Sequence, residues 1–578
     1  MTQYTAPLRD MEFVLHEVLE VSTLDIPGYD AVDPETTAAI HTEAAKLAET
    51  VLAPLNATGD AEGCRLDDGV VRTPAGFAEA FAHLAEGGWI ALDCDPAHGG
   101  TGMPYLLNCT TGEMFVAANM ALNMYQGLTH GAISALQSHA DAAVQARFLP
   151  RMVSGHWTGT MNLTEPQCGT DLGLIRTRAE PQEDGSFALT GRKIWISGGE
   201  HDLTENIVHL VLARLPDAPE GTRGLSLFVV PKVLDGGVRN GVACIGLERK
   251  MGIHAAATCE LEYSGAIGWL VGAPHAGLKA MFTMMNEARL GVGLQGYAVA
   301  SRAHQSAVGF ARERRQGRAV AGPAEPEAPA DSILVHPDVR RELMDQRAFV
   351  EGARALAFWG ATLIDRAHRA GDARAEALIS LLTPVIKAFL TDQGFASCVS
   401  AQQVAGGAGY IKGAGFEQFT RDARIAMVYE GTNGIQALDL VGRKLGRDGG
   451  AAVRDFLAEV QGAIEATPPG LEECAGALTA AAADLQAALA FLMEKGIAEP
   501  EAALSGADDM LRLMGHVCLG LMWLRMAQAA ARGSEPFHAA KLVTARHYLL
   551  RTLPATSLHL ARLRASGATV MALSDEAF

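Results

Sequence analysis

The sequence predicts a mainly α-helical protein with a β domain in its middle. Apolar residues recur at helical spacing over residues 34–160 and again from residue 278 onwards. Between about residues 160 and 275 the pattern changes to short, strand-like runs separated by Gly, Pro or charged turns. An Ala- and Leu-rich tail over residues 451–578 predicts a further helical bundle.

Each part of this prediction depends on particular segments. Helical spacing is clearest at residues 38–47, 114–136, 278–310, 337–369 and 375–404. The strand-like runs are residues 187–190, 194–197, 206–212, 225–230 and 257–263. A Pro-rich stretch, residues 319–330, predicts a loop between two of the helices.

Four domains are expected from these changes of pattern. They are an N-terminal extension with a helical domain (1–160), a middle β domain (161–277), a helical bundle (278–447) and an additional C-terminal helical domain (451–578). A Gly- and Asp-containing turn at residues 446–450 precedes the last of them. Its apolar faces could lie on a membrane, but packing on the parent domain is the expected arrangement.

Composition excludes several classes of function. At 578 residues the chain exceeds a single core, and its 49% apolar and 20% charged residues are typical of a soluble globular protein. A net charge of −19 argues against a general role on nucleic acid or anionic membrane. An anionic ligand would therefore need a local cluster of Arg and Lys.

The sequence predicts a cytoplasmic protein that binds no metal. Its nine cysteines show no CxxC pair or zinc spacing and are expected to be reduced core residues. Charged residues among the first twenty argue against a signal or transit peptide. No window of about 18 uninterrupted apolar residues occurs, so no membrane span is predicted. The 18 histidines show no HExxH spacing, so no metal site is predicted.

The stretch RDARIAMVYEGTNGIQ contains the strongest candidate for catalysis, Glu430, after an apolar, strand-like run and before a helix start. Apolar walls would raise the pKa of this carboxyl and make it a better base. Gly431 permits close approach of another backbone, and Thr432 or Asn433 can cap the helix. From these residues alone, a surface Glu at a helix start is the commoner interpretation.

Two other segments, MNLTEPQCGTD and KIWISG, carry groups that suit a flavin. The Thr164 hydroxyl can bond a planar heterocycle, and Gly169 with Thr170 can bond a pyrophosphate. Trp195 offers a flat apolar surface beside the hydroxyl of Ser197, although a single Trp is more often a core residue.

A GxGxxG pattern at Gly291, Gly293 and Gly296 is not interpreted as a dinucleotide site. That site requires a strand directly before the glycines, whereas residues 281–289 are predicted to be helical. We expect these glycines to permit close approach of two helices instead.

Four segments in order resemble the acyl-CoA dehydrogenases, flavoenzymes that oxidise the Cα–Cβ bond of an acyl thioester. They begin at Met161, at Lys193, at Gln403 (QVAGGAGY) and at Arg421, and ERRQGR from Glu313 matches more loosely. The resemblance covers most of residues 30–447, while residues 4–15 and the long tail resemble a large bacterial branch. It implies a helical N-terminal domain, a β-barrel-like middle domain, a helical bundle and an appended C-terminal helical domain.

The resemblance also implies roles for individual residues. Glu430 would be the catalytic base. The FAD would be bound by Met161, Leu163, Thr164, Gly169, Thr170, Trp195 and Ser197, and Thr432 matches another cofactor contact. The FAD of a neighbouring subunit would be reached by Arg314, Gln316, Gln403 and Gly407, which implies a homo-oligomer, for which we predict a dimer. The acyl-CoA would be bound by Thr170, Asn286, Arg289, Tyr429 and Gly431.

The implied reaction is dehydrogenation of an acyl-CoA to the 2-enoyl-CoA, with an electron-transferring flavoprotein reoxidising the FAD. The implied substrate is 3-methylthiopropionyl-CoA or a short to medium straight-chain acyl-CoA. An acyl-CoA oxidase, which uses oxygen, would share every motif. A DNA-binding flavoprotein relative is the second alternative, but the C-terminal region has no long Lys/Arg run to form a basic face.

Overall fold

The computed structural model describes residues 3–578, apart from the side chains of Asn286, Glu287, Ile497 and Ala568. The chain forms two compact units. The first contains the chain up to Ala45, Cys109–Ala117 and Val292–Phe578, and the second contains Lys46–Asn108 and Ala118–Gly291.

Helices dominate the described chain. They are α1 Leu8–Glu12, α2 Pro34–Leu47, α3 Pro54–Glu62, α4 Phe77–Glu86, α5 Tyr105–His139, α6 Ala142–Val153, α7 Gly277–Glu313, α8 Pro337–Ala370, α9 Ala373–Val404, α10 Gly407–Tyr410, α11 Phe416–Arg424, α12 Asn433–Asp439, α13 Ala451–Glu465, α14 Glu472–Ala498, α15 Pro500–Ser505, α16 Ala507–Ala530, α17 Pro536–His547 and α18 Ala555–Val570. The helices predicted at residues 278–310, 337–369 and 375–404 are confirmed as α7, α8 and α9.

The strands lie in the second unit. They are β1 Arg65–Asp67, β2 Val70–Arg72, β3 Trp157–Asn162, β4 Arg178–Pro181, β5 Phe187–Ser197, β6 Asn206–Arg214, β7 Leu225–Pro231, β8 Val242–Leu247 and β9 Thr258–Val271. Strands β6, β4, β5, β9 and β7 pair in that order, and β7 pairs back to β6. This circuit closes a small barrel, as the resemblance implied, with β3 beside β6 and β8 beside β9.

Several local details of the second unit differ from the prediction. Strands β3, β4 and β8 match none of the predicted strand-like runs. The runs at residues 187–190 and 194–197 form one strand, β5, which contains an irregularity where its pairing with β9 shifts register. A short hairpin of β1 and β2 lies within the N-terminal region, for which only helices were predicted.

Glycines allow α7 and α9 to pack closely in the first unit. A Cβ on Gly293 would lie 2.8 Å from the Ile386 side chain, and one on Gly296 would lie 2.6 Å from the Leu390 carbonyl oxygen. The GxGxxG pattern therefore lies within a continuous helix, and its Gly293 and Gly296 serve close helix approach as predicted, whereas a Cβ on Gly291 would meet no atom within 4 Å.

The C-terminal helix α16 packs on the parent bundle. Its Trp523 is fully buried and donates a hydrogen bond to the Ala348 carbonyl of α8 at 2.8 Å. Gly515 approaches the ring of Phe389 on α9 so closely that a Cβ would collide with it. The expectation that apolar faces of the tail pack on the parent domain is confirmed for this helix.

Buried charges join the two ends of the first unit's chain to its bundle. Arg354 of α8 donates to Glu113 at 2.9 Å and also bonds Asp10 of α1, which in turn pairs with Lys541 of α17. All four side chains are almost completely buried. Removing one member would leave an uncompensated buried charge, so the cluster is expected to resist separation of these segments.

One helix, Glu472–Gly496, is long and apolar enough to cross a membrane by length and composition alone. The core helix of a soluble protein passes the same test. The absence of a membrane span therefore stays a prediction.

Candidate active site

Glu430 lies in the turn between two helices rather than after a strand. Residues before it form α11 and a 3₁₀ turn, Ile425–Met427, so the predicted strand-like run is wrong. Phe416, Phe419 and Ala423 bury one face of α11, and this packing favours helix over strand. Glu430 itself is half-buried, and its expected raised pKa stays a prediction.

The turn adopts a backbone conformation that residues with side chains rarely occupy. Glu430 has φ of +56° and Gly431 has φ of +80°. Only glycine adopts this region without cost, and another residue pays roughly 1–3 kcal/mol unless its surroundings over-determine it. Glu430 therefore occupies this turn at a cost in backbone strain that a glycine would avoid.

Two buried side chains hold this turn. Gln436 of α12 donates to the carbonyl oxygens of Glu430 at 3.0 Å and Gly431 at 3.3 Å. Lys387 of α9 donates to the Gly431 oxygen at 2.9 Å and to Asn433 Oδ1 at 2.8 Å. Both Gln436 and Lys387 are completely buried. The sequence analysis missed them, although a lysine within the apolar run of α9 was a visible signal.

The neighbours of Glu430 are also fixed. The Tyr429 hydroxyl donates to Gln295, and desolvation and the Glu430 charge raise the pKa of this phenol well above its usual range. The hydroxyl therefore stays protonated and acts as a donor. Thr432 caps α12 by accepting from the Ile435 N–H at 3.3 Å, as predicted from its position.

Trp195 stands out in the second unit. It has φ of +59°, it lies where β5 changes register against β9, and its side chain is 61% exposed. Its neighbours Lys193 and Ile196 are buried, so the irregularity turns the indole out of the barrel wall. The exposed indole presents a flat apolar face on which a planar heterocycle can stack.

A buried ion pair between Lys193, two residues before Trp195, and Glu165 joins the two predicted flavin segments. Lys193 donates to Glu165 Oε1 and to the Leu163 carbonyl, both at 2.9 Å. Burial alone would raise the pKa of Glu165, but Lys193 and hydrogen bonds from Thr177 and Arg176 lower it to about 2. Both charged residues stand in the quoted motifs, yet the sequence analysis gave them no role.

The other predicted FAD contacts of the second unit lie along the same segments. Ile194 of β5 donates to the Thr164 carbonyl at 3.0 Å, which places the segment that follows β3 beside β5. Met161, Thr164 and Ser197 are half-buried, Leu163 is nearly buried, and Gly169 and Thr170 are exposed. A Cβ on Gly169 would lie 3.7 Å from the Thr164 methyl, so Gly169 and Thr164 are neighbours, and the shared FAD role of the set stays a prediction.

The residues predicted to serve a neighbouring subunit are exposed. They are Arg314, Gln316, Gln403 and Gly407, all in the first unit. The Pro-rich loop that follows Gln316 is ordered by buried Asp331, which accepts from the backbone of Ala319 at 2.8 Å and Glu325 at 2.9 Å. The Gln316 N–H donates to the Asp331 carbonyl at 3.0 Å, and this hydrogen bond fixes the backbone of Gln316 just after the end of α7.

The acyl-CoA-binding roles of Asn286 and Arg289 and the absence of a metal site stay predictions. Arg289 is buried, at 5% exposure, and Asn286 lies outside the described side chains. Asp93, Cys94 and His130 bring donor atoms within 4.8 Å of one another, and His130 Nε2 bonds the Asp93 carboxylate at 2.9 Å. That hydrogen bond accounts for the pair, and the absence of a metal stays a prediction.

Four stretches match known domain families. Residues 34–156 match "Acyl-CoA dehydrogenase, N-terminal domain" and residues 160–266 match the middle domain of that family. Residues 275–446 match its C-terminal domain, and residues 456–574 match "Acetyl-CoA dehydrogenase C-terminal like".

Similar whole proteins have the same extent. The 3-methylmercaptopropionyl-CoA dehydrogenase of Ruegeria pomeroyi is 40% identical over 99% of this chain and 100% of its own. The broad-specificity linear acyl-CoA dehydrogenase FadE5 of Mycobacterium tuberculosis is 34% identical over 100% of both chains. An acyl-CoA dehydrogenase of Bacillus anthracis complexed with FAD has the same fold, with a TM-score of 0.77 at 17% identity over 94% of this chain and 90% of that one.

Proposed function

The chain belongs to the acyl-CoA dehydrogenase family, and we propose that Glu430 is the base that removes the Cα proton of its acyl-CoA substrate. The protein is an FAD-dependent oxidoreductase that dehydrogenates acyl-CoA. Residues 1–160, 161–277, 278–447 and 451–578 are proposed as its domains, which agrees with the four family matches.

One observation carries the role of Glu430. A carboxylate occupies a left-handed position that favours glycine. Gln436 fixes the carbonyl of Glu430, and Lys387 fixes the carbonyl of Gly431. A general base must be held within reach of one particular proton. The fixed turn supplies that constraint.

The residues of the second unit suit FAD. The exposed indole of Trp195 offers a face for the isoalloxazine, while Thr164 and Ser197 offer hydroxyls beside it. Met161 and Leu163 would line the same face, and Gly169 and Thr170 would hold the pyrophosphate. When bound, FAD accepts the hydride that leaves Cβ.

The chain's own groups account for proton removal. A thioester Cα–H is a weak acid, so a carboxylate can remove its proton only if the developing enolate oxygen is stabilised. We propose that the backbone N–H of Glu430 donates to that oxygen, so that one residue activates and deprotonates the substrate. Thr170, Asn286, Arg289, Tyr429 and Gly431 are proposed to orient the acyl-CoA.

The proposed substrate is 3-methylthiopropionyl-CoA or a short to medium straight-chain acyl-CoA, in accord with the two named relatives. An electron-transferring flavoprotein is the proposed electron acceptor. Rates over a panel of acyl-CoA lengths, with and without oxygen as the sole acceptor, test both points. Oxygen consumption at the full catalytic rate would identify an oxidase instead.

Glu430→Gln tests the base. The variant keeps the backbone N–H and nearly the same volume, so it should fold, hold FAD and bind acyl-CoA. Anaerobic flavin bleaching by substrate should slow by at least about a hundredfold, the lower end for loss of a general base. The exposed Glu494→Gln is the matched control and should bleach at the wild-type rate. A normal rate in Glu430→Gln would assign the proton to another carboxylate.

A further inference from the structure

The C-terminal helix α16 reaches the turn of Glu430 through a short series of polar contacts. Arg512, in the first half of α16, pairs with Asp392 of α9 at 2.8 Å. Asp392 accepts from the Asn433 amide at 2.6 Å, and Asn433 Oδ1 accepts from Lys387 at 2.8 Å. Lys387 donates to the Gly431 carbonyl, the second of the two left-handed residues.

The members of this series are fixed as well as connected. Asp392 is 7% exposed and Lys387 is fully buried. Asn433 uses its amide nitrogen towards Asp392 and also towards Thr391 Oγ1 at 3.0 Å, while its oxygen faces Lys387. Arg512 also pairs with Asp508 of its own helix at 2.8 Å, and this second pair holds the guanidinium in place. Charge-assisted hydrogen bonds of this kind are stronger than neutral ones.

Packing brings α16 into position for these contacts. Gly515, one turn beyond Arg512, lets α16 approach the ring of Phe389 on α9 without a Cβ in between. Phe389 lies between Lys387 and Asp392 along α9, so the point of closest approach coincides with the polar contacts.

We propose that Arg512 is a positioning residue for the dehydrogenation, which through Asp392, Asn433 and Lys387 holds the Glu430–Gly431 turn in its left-handed conformation. The C-terminal helical domain is then part of the machinery that orients the base. This inference rests on the proposed role of Glu430. A displacement of about 1 Å at a reacting group can cost up to about a hundredfold in rate, so loss of the pair should affect the chemical step.

Arg512→Met tests the proposal in the full-length holoenzyme. The expected result is a flavin-reduction rate at saturating butyryl-CoA about tenfold below wild type, with the half-saturating concentration within about twofold. Arg525→Met is the matched control, because Arg525 lies on the same helix and pairs with Glu459 at 2.7 Å, away from the turn. It should lose similar thermal stability while keeping the wild-type rate. Arg512→Lys, which keeps the charge, should recover part of the rate.

Asp392→Asn supplies a second route to the same answer. It should slow flavin reduction as Arg512→Met does, and the double variant should be no slower than either, because the residues act in one series. If Arg512→Met fails to fold, Asp392→Asn and Arg512→Lys decide the matter. A wild-type rate in these variants, or a loss no larger than that of Arg525→Met, overturns the proposal. Glu430→Gln, measured alongside, shows separately whether Glu430 is the base.

Discussion

Trp195 and Glu430, the two residues proposed to contact FAD and substrate, adopt left-handed backbone conformations with φ of +59° and +56°. Other non-glycine residues with positive φ include Ile253, Asp68 and Asp448, and the short Asp side chain tolerates this region because it can hydrogen-bond locally. A tryptophan has no such tolerance. Strain of this kind persists where neighbouring structure enforces it, as buried Lys193 and Ile196 do on either side of Trp195.

Trp195→Ala should weaken FAD binding, because the aromatic platform is removed. Trp195→Gly should weaken it equally but melt at a higher temperature than Trp195→Ala, since glycine relieves about 1–3 kcal/mol of backbone strain. FAD affinity from fluorescence titration and thermal melting of the apoprotein measure the two effects. Val238→Ala, at an exposed apolar side chain of the same unit, is the control. Unchanged FAD affinity in Trp195→Ala would remove the indole from the site.

At the scale of elements, α9 is the central helix of the first unit. Its residues meet α7 at Gly293 and Gly296, α16 at Gly515, and the turn of Glu430 through Lys387. Glycines on the facing helices permit these close approaches, so α9 has little freedom to shift. Any displacement of α9 would be transmitted to Lys387 and hence to the turn.

Gly296→Ala should destabilise the protein, because the new Cβ would lie 2.6 Å from the Leu390 carbonyl oxygen. Overpacking of this kind typically costs about 1–3 kcal/mol. Gly291→Ala, on the same helix with no atom within 4 Å of its Cβ, should be neutral or stabilising by up to about 1 kcal/mol. Thermal melting of both variants measures the difference. Equal melting temperatures would show that α7 and α9 can separate without cost.

The second unit also contains two completely buried histidines, His201 and His209. His201 bonds the Thr158 hydroxyl at 2.9 Å and His209 bonds the Thr160 hydroxyl at 2.8 Å, both on β3. Burial is the main cause that lowers the pKa of each imidazole from 6.5 to about 3, and nearby Lys232 lowers it further. Both rings therefore stay neutral in the folded protein.

Acid should destabilise the barrel before carboxylates titrate. Below pH 6.5, the ordinary pKa of histidine, the unfolded chain binds protons at His201 and His209 that the folded protein does not bind. The free energy of unfolding therefore falls progressively as pH drops from 6.5 towards 3. His209→Gln, which cannot be protonated, should reduce the fall in melting temperature between about pH 7.5 and about pH 5. His156→Gln, at an exposed position, should leave that fall unchanged. An identical fall in His209→Gln would contradict the assignment.

At the scale of the whole molecule, assembly is proposed to complete the active site. Arg314, Gln316, Gln403 and Gly407 are exposed in the isolated chain and are expected to reach the FAD of a neighbouring subunit. We propose a cytoplasmic homodimer that acts in fatty acid metabolism.

Mixing two defective variants tests this assembly. If Arg314 serves the neighbour's FAD, Arg314→Ala and Trp195→Ala subunits refolded together form heterodimers with one intact site. Random pairing should then restore activity at about a quarter of all sites. No recovery above the separate variants would mean that Arg314 acts within its own subunit. A monomer by light scattering with FAD and full activity would also contradict the dimer.

The sequence by itself determined the long helices, the barrel strands β5, β6, β7 and β9, the Thr432 cap and the close approach at Gly293 and Gly296. These follow from periodicity, turn residues and the lack of a side chain, which are properties of neighbouring positions. The family resemblance, carried by ordered motifs, identified the residues around Trp195 and Glu430.

Only the tertiary structure decided how those residues are held. The apolar run before Glu430 has no clear period, and it continues as a 3₁₀ turn from the helix α11, whose Phe416 and Phe419 are buried. Lys387 meets Gly431 across 44 positions of sequence, and Arg512 meets Asp392 from a different helix. Partners so far apart leave no local pattern, because their pairing is set by the packing of α9, α12 and α16 rather than by either segment alone.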